Sequence, residues 1–170
     1  MNKNPIKHET INTVIHWCTQ SELLTNTNYT LALTGSRSFG YATPSSDYDF
    51  EILCESNDFA QICQKLNKPA ATTGIRLRES QFGIEADRAI DLTLHDRRYV
   101  ENALRAWRDE PLWIWQRAVP LHDPAGWLAS VQQRFSQYPA DILQRKSRST
   151  LSPRFPPQRA WHYLQSGLGE

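Results

Sequence analysis

Two apolar runs separated by a turn-rich loop constrain this chain more than any other feature. "YTLALTG", Tyr29 to Gly35, predicts a short buried strand, Tyr29 to Thr34, stopped by glycine. "DYDFEILC", Asp47 to Cys54, predicts a second strand, and "GSRSFGYATPSS" between them has room for one short helical turn. Strand alternation puts Asp47, Asp49 and Glu51 on one face of the second strand and Tyr48, Phe50 and Ile52 on the other. Carboxylates are costly to bury, so that acidic face requires water or a cation.

The flanking sequence supplies layers for a sheet. Ile11, Val14, Ile15 and Cys18 recur at helical spacing and predict a first helix from about His8 to Leu24. "NDFAQICQKLN" predicts another, with Asn57 or Asp58 as N-cap and Phe59, Ile62, Cys63 and Leu66 as its apolar stripe. "TGIRLRES" and "RAIDLTLHD" read as two further strands joined through the Gly83 region. From Arg97 onward the pattern is helical and tryptophan-rich, with Pro111 suited to a helix start and "VPLHDPAGW" as a break. The expected fold class is α/β or α+β: a mixed sheet flanked by helices, with a helical C-terminal part.

Length and charge bound the rest. At 170 residues the chain has room for one ordinary domain with an appendage, and 22% charged against 39% hydrophobic residues fits a globular protein. Expected boundaries are a core at 1–96, a helical extension packing on it at 97–145, and a linker with the start of a further helix at 146–170. A formal net charge of +1 argues against a long nucleic-acid partner. No apolar run approaches the roughly 20 residues that cross a bilayer, and "MNKNPIKHET" lacks the apolar core of a secretory signal. Cys18, Cys54 and Cys63 are odd in number and unclustered, which fits buried small hydrophobes in a reducing, cytoplasmic setting.

Chemistry concentrates on three acids. Asp47 and Asp49 share a strand face, and Asp91 stands alone in the apolar strand "AIDLTLH". If the two strands are neighbours, the acids converge, and like charges that close force one to keep a proton unless a cation intervenes. Mg²⁺ accepts carboxylate oxygens and leaves positions for substrate phosphates. Gly35 permits close backbone approach to a ligand, Ser36 follows it, and Arg37 is within reach of a phosphate. Taken alone, each feature has a plainer reading: a solvated strand face for Asp47 and Asp49, a strand-ending turn for Gly35-Ser36, a water-facing edge acid for Asp91. Glu85 and Asp87 are rivals for the third carboxylate, but neither has apolar neighbours on both sides, and Glu51 reads as peripheral. His95, His122, the tryptophans Trp107, Trp113 and Trp115, and the cluster Arg145, Lys146 and Arg148 read as structural or solvated groups.

"LTGSRSFGYATPSSDYDFEIL" followed by "AIDLTL" resembles the nucleotidyltransferase superfamily that includes DNA polymerase β and the bacterial antibiotic nucleotidyltransferases. Gly35, Ser36, Asp47, Asp49 and Asp91 fall on its pattern of strand, Gly-Ser, short helix, Asp-x-Asp strand and later acid, and Ser46-Asp47 matches its usual Ser-Asp. The resemblance covers roughly Tyr29 to Leu94, and "VPLHDPAGWL" is similar to a segment following the core in small bacterial members. The loop departs from the usual "GSxARG", placing Phe39 where an arginine is common and Arg37 two positions earlier. The resemblance implies a polymerase β-like fold that transfers a nucleoside monophosphate from an NTP such as ATP to an acceptor hydroxyl on a small molecule or protein. It implies two Mg²⁺ ions (or Mn²⁺) on Asp47, Asp49 and Asp91, with Gly35, Ser36, Arg37 and Ser46 toward the nucleotide. The alternative is a catalytically silent nucleotide-binding or partner-binding module, including one component of a toxin–antitoxin pair with a helical partner protein.

Overall fold

The computed structural model describes residues 8–77, 89–136, 139–142 and 144. Among these, five strands form one mixed sheet in the order β3-β4-β2-β1-β5. Strand β1 (Tyr29–Thr34) is buried at every position and runs antiparallel to β2 (Tyr48–Cys54) on one side and to β5 (Val119–His122) on the other. Strand β2 lies parallel to β4 (Ile90–Asp96), whose far edge pairs antiparallel with β3 (Gly74–Leu77). The chain is thus mixed α/β with helices flanking a mixed sheet, as the alternation of periodicities predicts.

The apolar face of that sheet is one continuous core. Tyr29, Leu31 and Leu33 from β1, Tyr48, Phe50 and Ile52 from β2, and Leu92 and Leu94 from β4 cluster with two helices. These are α1 (His8–Gln20), which contributes Ile11, Val14 and Cys18, and α3 (Ser56–Lys65), which contributes Phe59, Ile62 and Cys63. All three cysteines are buried free thiols, and burial pushes Cys18 and Cys54 up to about 12, so they behave as small apolar groups.

Downstream, α4 (Arg97–Arg105), α5 (Asp109–Gln116) and α6 (Trp127–Arg134) bury Val100, Leu104, Leu112, Trp115, Trp127, Leu128 and Val131. Trp107, at a positive φ of 53°, ends α4, and Pro111 lies in the first turn of α5, where its missing N–H costs nothing. Asp123 caps α6: its carboxylate accepts from the backbone N–H groups of Trp127 and Leu128, both at 2.9 Å, and from the Thr30 hydroxyl on β1 at 3.1 Å.

Several boundaries differ from the periodicity. Helix α1 stops at Gln20, because the Ser21 hydroxyl accepts from the Leu23 N–H and Asn26 takes a positive φ of 60°, although Leu24 stays buried. Strand β5 has no counterpart in the sequence reading: it is four residues long, contains Pro120 and is mostly exposed, all features of an edge strand. The Gly83 connection, Glu85, Asp87, the Arg145, Lys146 and Arg148 cluster and the expected helix near Ala160 lie outside the described residues.

By its internal contacts the chain divides into two compact units, 1–136 and 137–170. Strand β5 belongs to the first, so the segment after Arg97 contributes a strand to the same sheet as the segment before it. In the second unit, residues 140–142 and 144 are helical. No helix among the described residues is long and apolar enough to cross a membrane.

Candidate active site on the acidic face of the sheet

Register brings the predicted acids together. Asp49 pairs with Asp91 across the parallel β2–β4 ladder and with Thr34 across the antiparallel β1–β2 ladder. Neighbouring strands lie about 4.8 Å apart, and paired residues present their side chains to the same face. Asp49 and Asp91 therefore stand side by side, half-buried, with Glu51 and Thr93 forming the next row. Asp47 is exposed and precedes β2, which begins at Tyr48 rather than at Asp47 as expected.

Gly35 explains how Asp49 is held. It opens the one-turn helix α2 (Gly35–Phe39) directly after β1, at a φ of 64° that favours glycine. A Cβ built at this position would lie 1.9 Å from Asp49 Oδ2 and 2.7 Å from its Cγ, an impossible overlap. The missing side chain is the space the Asp49 carboxylate occupies. Ser36, half-buried in the same turn, accepts the Gly40 and Tyr41 N–H groups on its carbonyl, closing α2 behind it.

Arg37 and Ser46 organise the loop. Arg37 donates from Nε to the Asp47 carbonyl at 2.8 Å and from Nη2 to the Ser46 carbonyl, while its guanidinium lies 3.8 Å from the centre of the Tyr48 ring. The Ser46 hydroxyl accepts from the Thr43 N–H at 2.9 Å and meets the Thr43 hydroxyl. Arg37 thus draws the backbone of 46–47 toward α2, which fixes where Asp47 enters the site. In this arrangement two of its donor atoms, Nε and Nη2, meet carbonyls.

Electrostatics single out Asp49. Burial, reinforced by Asp47, Asp91 and Glu51, pushes its carboxyl up to about 6, with Arg76 opposing. Arg76, from edge strand β3, reaches across to place Nη2 2.6 Å from Asp91 Oδ2. The other oxygen, Asp91 Oδ1, is buried with no hydrogen-bond partner among the described residues. Further along the same face, His95 Nε2 lies 2.6 Å from Glu51 Oε2, and the Trp115 ring meets His95 edge-on. Glu51 is therefore part of the acidic field around Asp49 and has His95 as its own partner.

The donor set suits a hard dication: oxygen-only ligands, a buried carboxylate oxygen with no partner among the described residues, and one acid driven toward protonation by burial and then by its acidic neighbours. Among the described residues no three acidic, histidine or cysteine side chains form a ready-made coordination shell, because Asp91 is turned to Arg76 and Asp47 to solvent. Sequence reasoning passed over Arg76. Its signal was a lone base at an outward position of "GIRL", where Ile75 and Leu77 point into the core. No protein-family model matches this chain, and no curated protein matches it.

Proposed function

We propose that this chain is a Mg²⁺-dependent nucleotidyltransferase of the polymerase β-like fold, moving a nucleoside monophosphate from an NTP to an acceptor hydroxyl of a small molecule or protein. The supporting observation is the Asp49–Asp91 pair, adjacent across a parallel ladder with Asp49 seated on a glycine that nothing larger can replace. In the reaction the acceptor oxygen bonds to the α-phosphorus, the bond to the bridging oxygen of the β-phosphate breaks, and pyrophosphate leaves. Two Mg²⁺ or Mn²⁺ ions held by Asp47, Asp49 and Asp91 would lower the acceptor hydroxyl's pKa and neutralise the leaving group.

The protein's own groups supply position and charge. Asp91, with one oxygen that no described residue hydrogen-bonds, faces the acceptor side and assists removal of its proton. Gly35 and Ser36 present backbone to the β- and γ-phosphates. Arg37 holds the backbone of residues 46–47 and, with Ser46, belongs to the nucleotide side of the site.

A second reading, a module that binds nucleotide or a partner protein without transfer, draws support from the Arg76–Asp91 ion pair, which occupies the third acid. Thermal unfolding with each NTP, with and without Mg²⁺, separates the readings. A ligand at 100 times its dissociation constant adds about 2.7 kcal/mol, several degrees for a domain of this size. The proposal expects a Mg²⁺-dependent shift that vanishes in Asp49→Asn, together with labelled-nucleotide transfer once an acceptor is supplied. A shift of equal size in Asp49→Asn would overturn the metal site, and NTP binding without Mg²⁺ would favour the silent module.

A further inference from the structure

Among the described residues, Arg76 is the cation that opposes the raised Asp49 carboxyl. Its position is distinctive: it is anchored on the edge strand β3, in register with Thr93, and pairs sideways with Asp91 at 2.6 Å. The partners differ in exposure. The Asp91 side chain is 22% exposed and the Arg76 side chain 74%, so the acid is fixed in the site while the base enters from solvent and can withdraw into it. Among the described residues one Asp91 oxygen is engaged, and the other is buried without a hydrogen-bond partner. A carboxylate so arranged is half compensated: its charge is balanced from one side and its second oxygen is kept for a ligand.

We infer that Arg76 is a resident counter-cation that competes with the divalent metal for Asp91, so that metal loading must displace its guanidinium from the site. This rests on the nucleotidyltransferase reading of the three acids and goes beyond it by assigning a role to a residue outside the motif. Without metal, Arg76 relieves the repulsion among Asp47, Asp49 and Asp91. With metal, the same positive charge becomes a like charge beside the dication, and its long exposed side chain lets it swing outward.

The test is Mn²⁺ binding to the full chain at neutral pH without nucleotide, followed by the paramagnetic signal of free Mn²⁺, across Arg76→Lys, Arg76→Gln and Arg76→Glu. Removing one unit charge a few ångströms from a dication in a partly solvated site corresponds to roughly tenfold tighter binding for Arg76→Gln. Arg76→Lys should stay near wild type, and Arg76→Glu should bind tighter than Arg76→Gln. Binding in Arg76→Gln where wild type binds too weakly to detect would also support the competition. Unchanged or weaker binding in Arg76→Gln and Arg76→Glu, in variants that unfold cooperatively and with Asp49→Asn abolishing binding, would overturn the role of Arg76 and leave the metal site standing. No binding by wild type or any variant would instead overturn the metal site itself, and this inference with it.

Discussion

The two faces of strands β2 and β4 are built from alternate residues of the same few turns of sequence, yet they obey opposite rules. On one face Tyr48, Phe50, Ile52, Leu92 and Leu94 are almost wholly buried and pack against α1 and α3. On the other, Asp49, Glu51 and Asp91 crowd one another, and one of them is pushed far from its ordinary ionisation. The apolar face stabilises the fold by removing area from water, a term that adds up contact by contact. The acidic face lowers stability in order to keep a charged, oriented site. One strand therefore carries both the foundation and the strain set upon it.

The largest effect that would sharpen this contrast is on the foundation. Phe50→Ala should destabilise the protein by about 3–5 kcal/mol in urea denaturation, because it opens a cavity in a fully packed layer. Its neighbour Asp49→Ala, one residue away, should cost far less or nothing; equal losses at the two positions would break the comparison. Next comes the point where the faces meet the loop. Gly35→Ala forces a Cβ into the Asp49 carboxylate at a positive φ, so it should cost about 1–3 kcal/mol and also abolish Mg²⁺-dependent stabilisation by NTP. Stability lost with nucleotide binding intact would show that Asp49 can move aside.

The smallest effect is the pH dependence of the metal-free protein. The folded state holds the Asp49 proton more tightly than the unfolded chain, about 6 against roughly 3.9. Its contribution to stability is therefore fully present below about pH 4 and is lost as pH rises through about 6. With chelator present, the melting temperature of wild type should fall over this window, and Asp49→Asn should flatten that part of the curve. The amplitude stays modest because Asp49 is only half-buried and solvent screens it.

What the sequence disclosed follows the range of the forces involved. Alternation in "DYDFEILC" is local, so the face carrying Asp49 and Glu51 could be read directly. The meeting of Asp49 with Asp91 depends on a ladder between residues 42 apart in sequence, and could be stated only as a condition on neighbouring strands. Asp47 was placed inside the strand, but Arg37 binds the carbonyls on either side of the Ser46–Asp47 bond, and pairing begins one residue later. Arg76 and Glu51 show the same limit from the side-chain end. Nothing near "GIRL" in sequence indicates that its arginine ends beside Asp91, and nothing near Glu51 indicates that His95 closes on it. Strand β5 stayed hidden because four mostly exposed residues with a proline carry no period.

That inconspicuous strand has a consequence for the behaviour of the chain in solution. β1 is buried along its whole length and mostly apolar, and β5 is what lies against its outer edge. Were β5 lost, by proteolysis before Val119 for instance, a row of unpaired N–H and C=O groups on "YTLALT" would face water, a ready template for intermolecular pairing and aggregation. Asp123, hydrogen-bonded to Thr30 on β1 and capping α6 just beyond β5, fastens that guard strand at its far end.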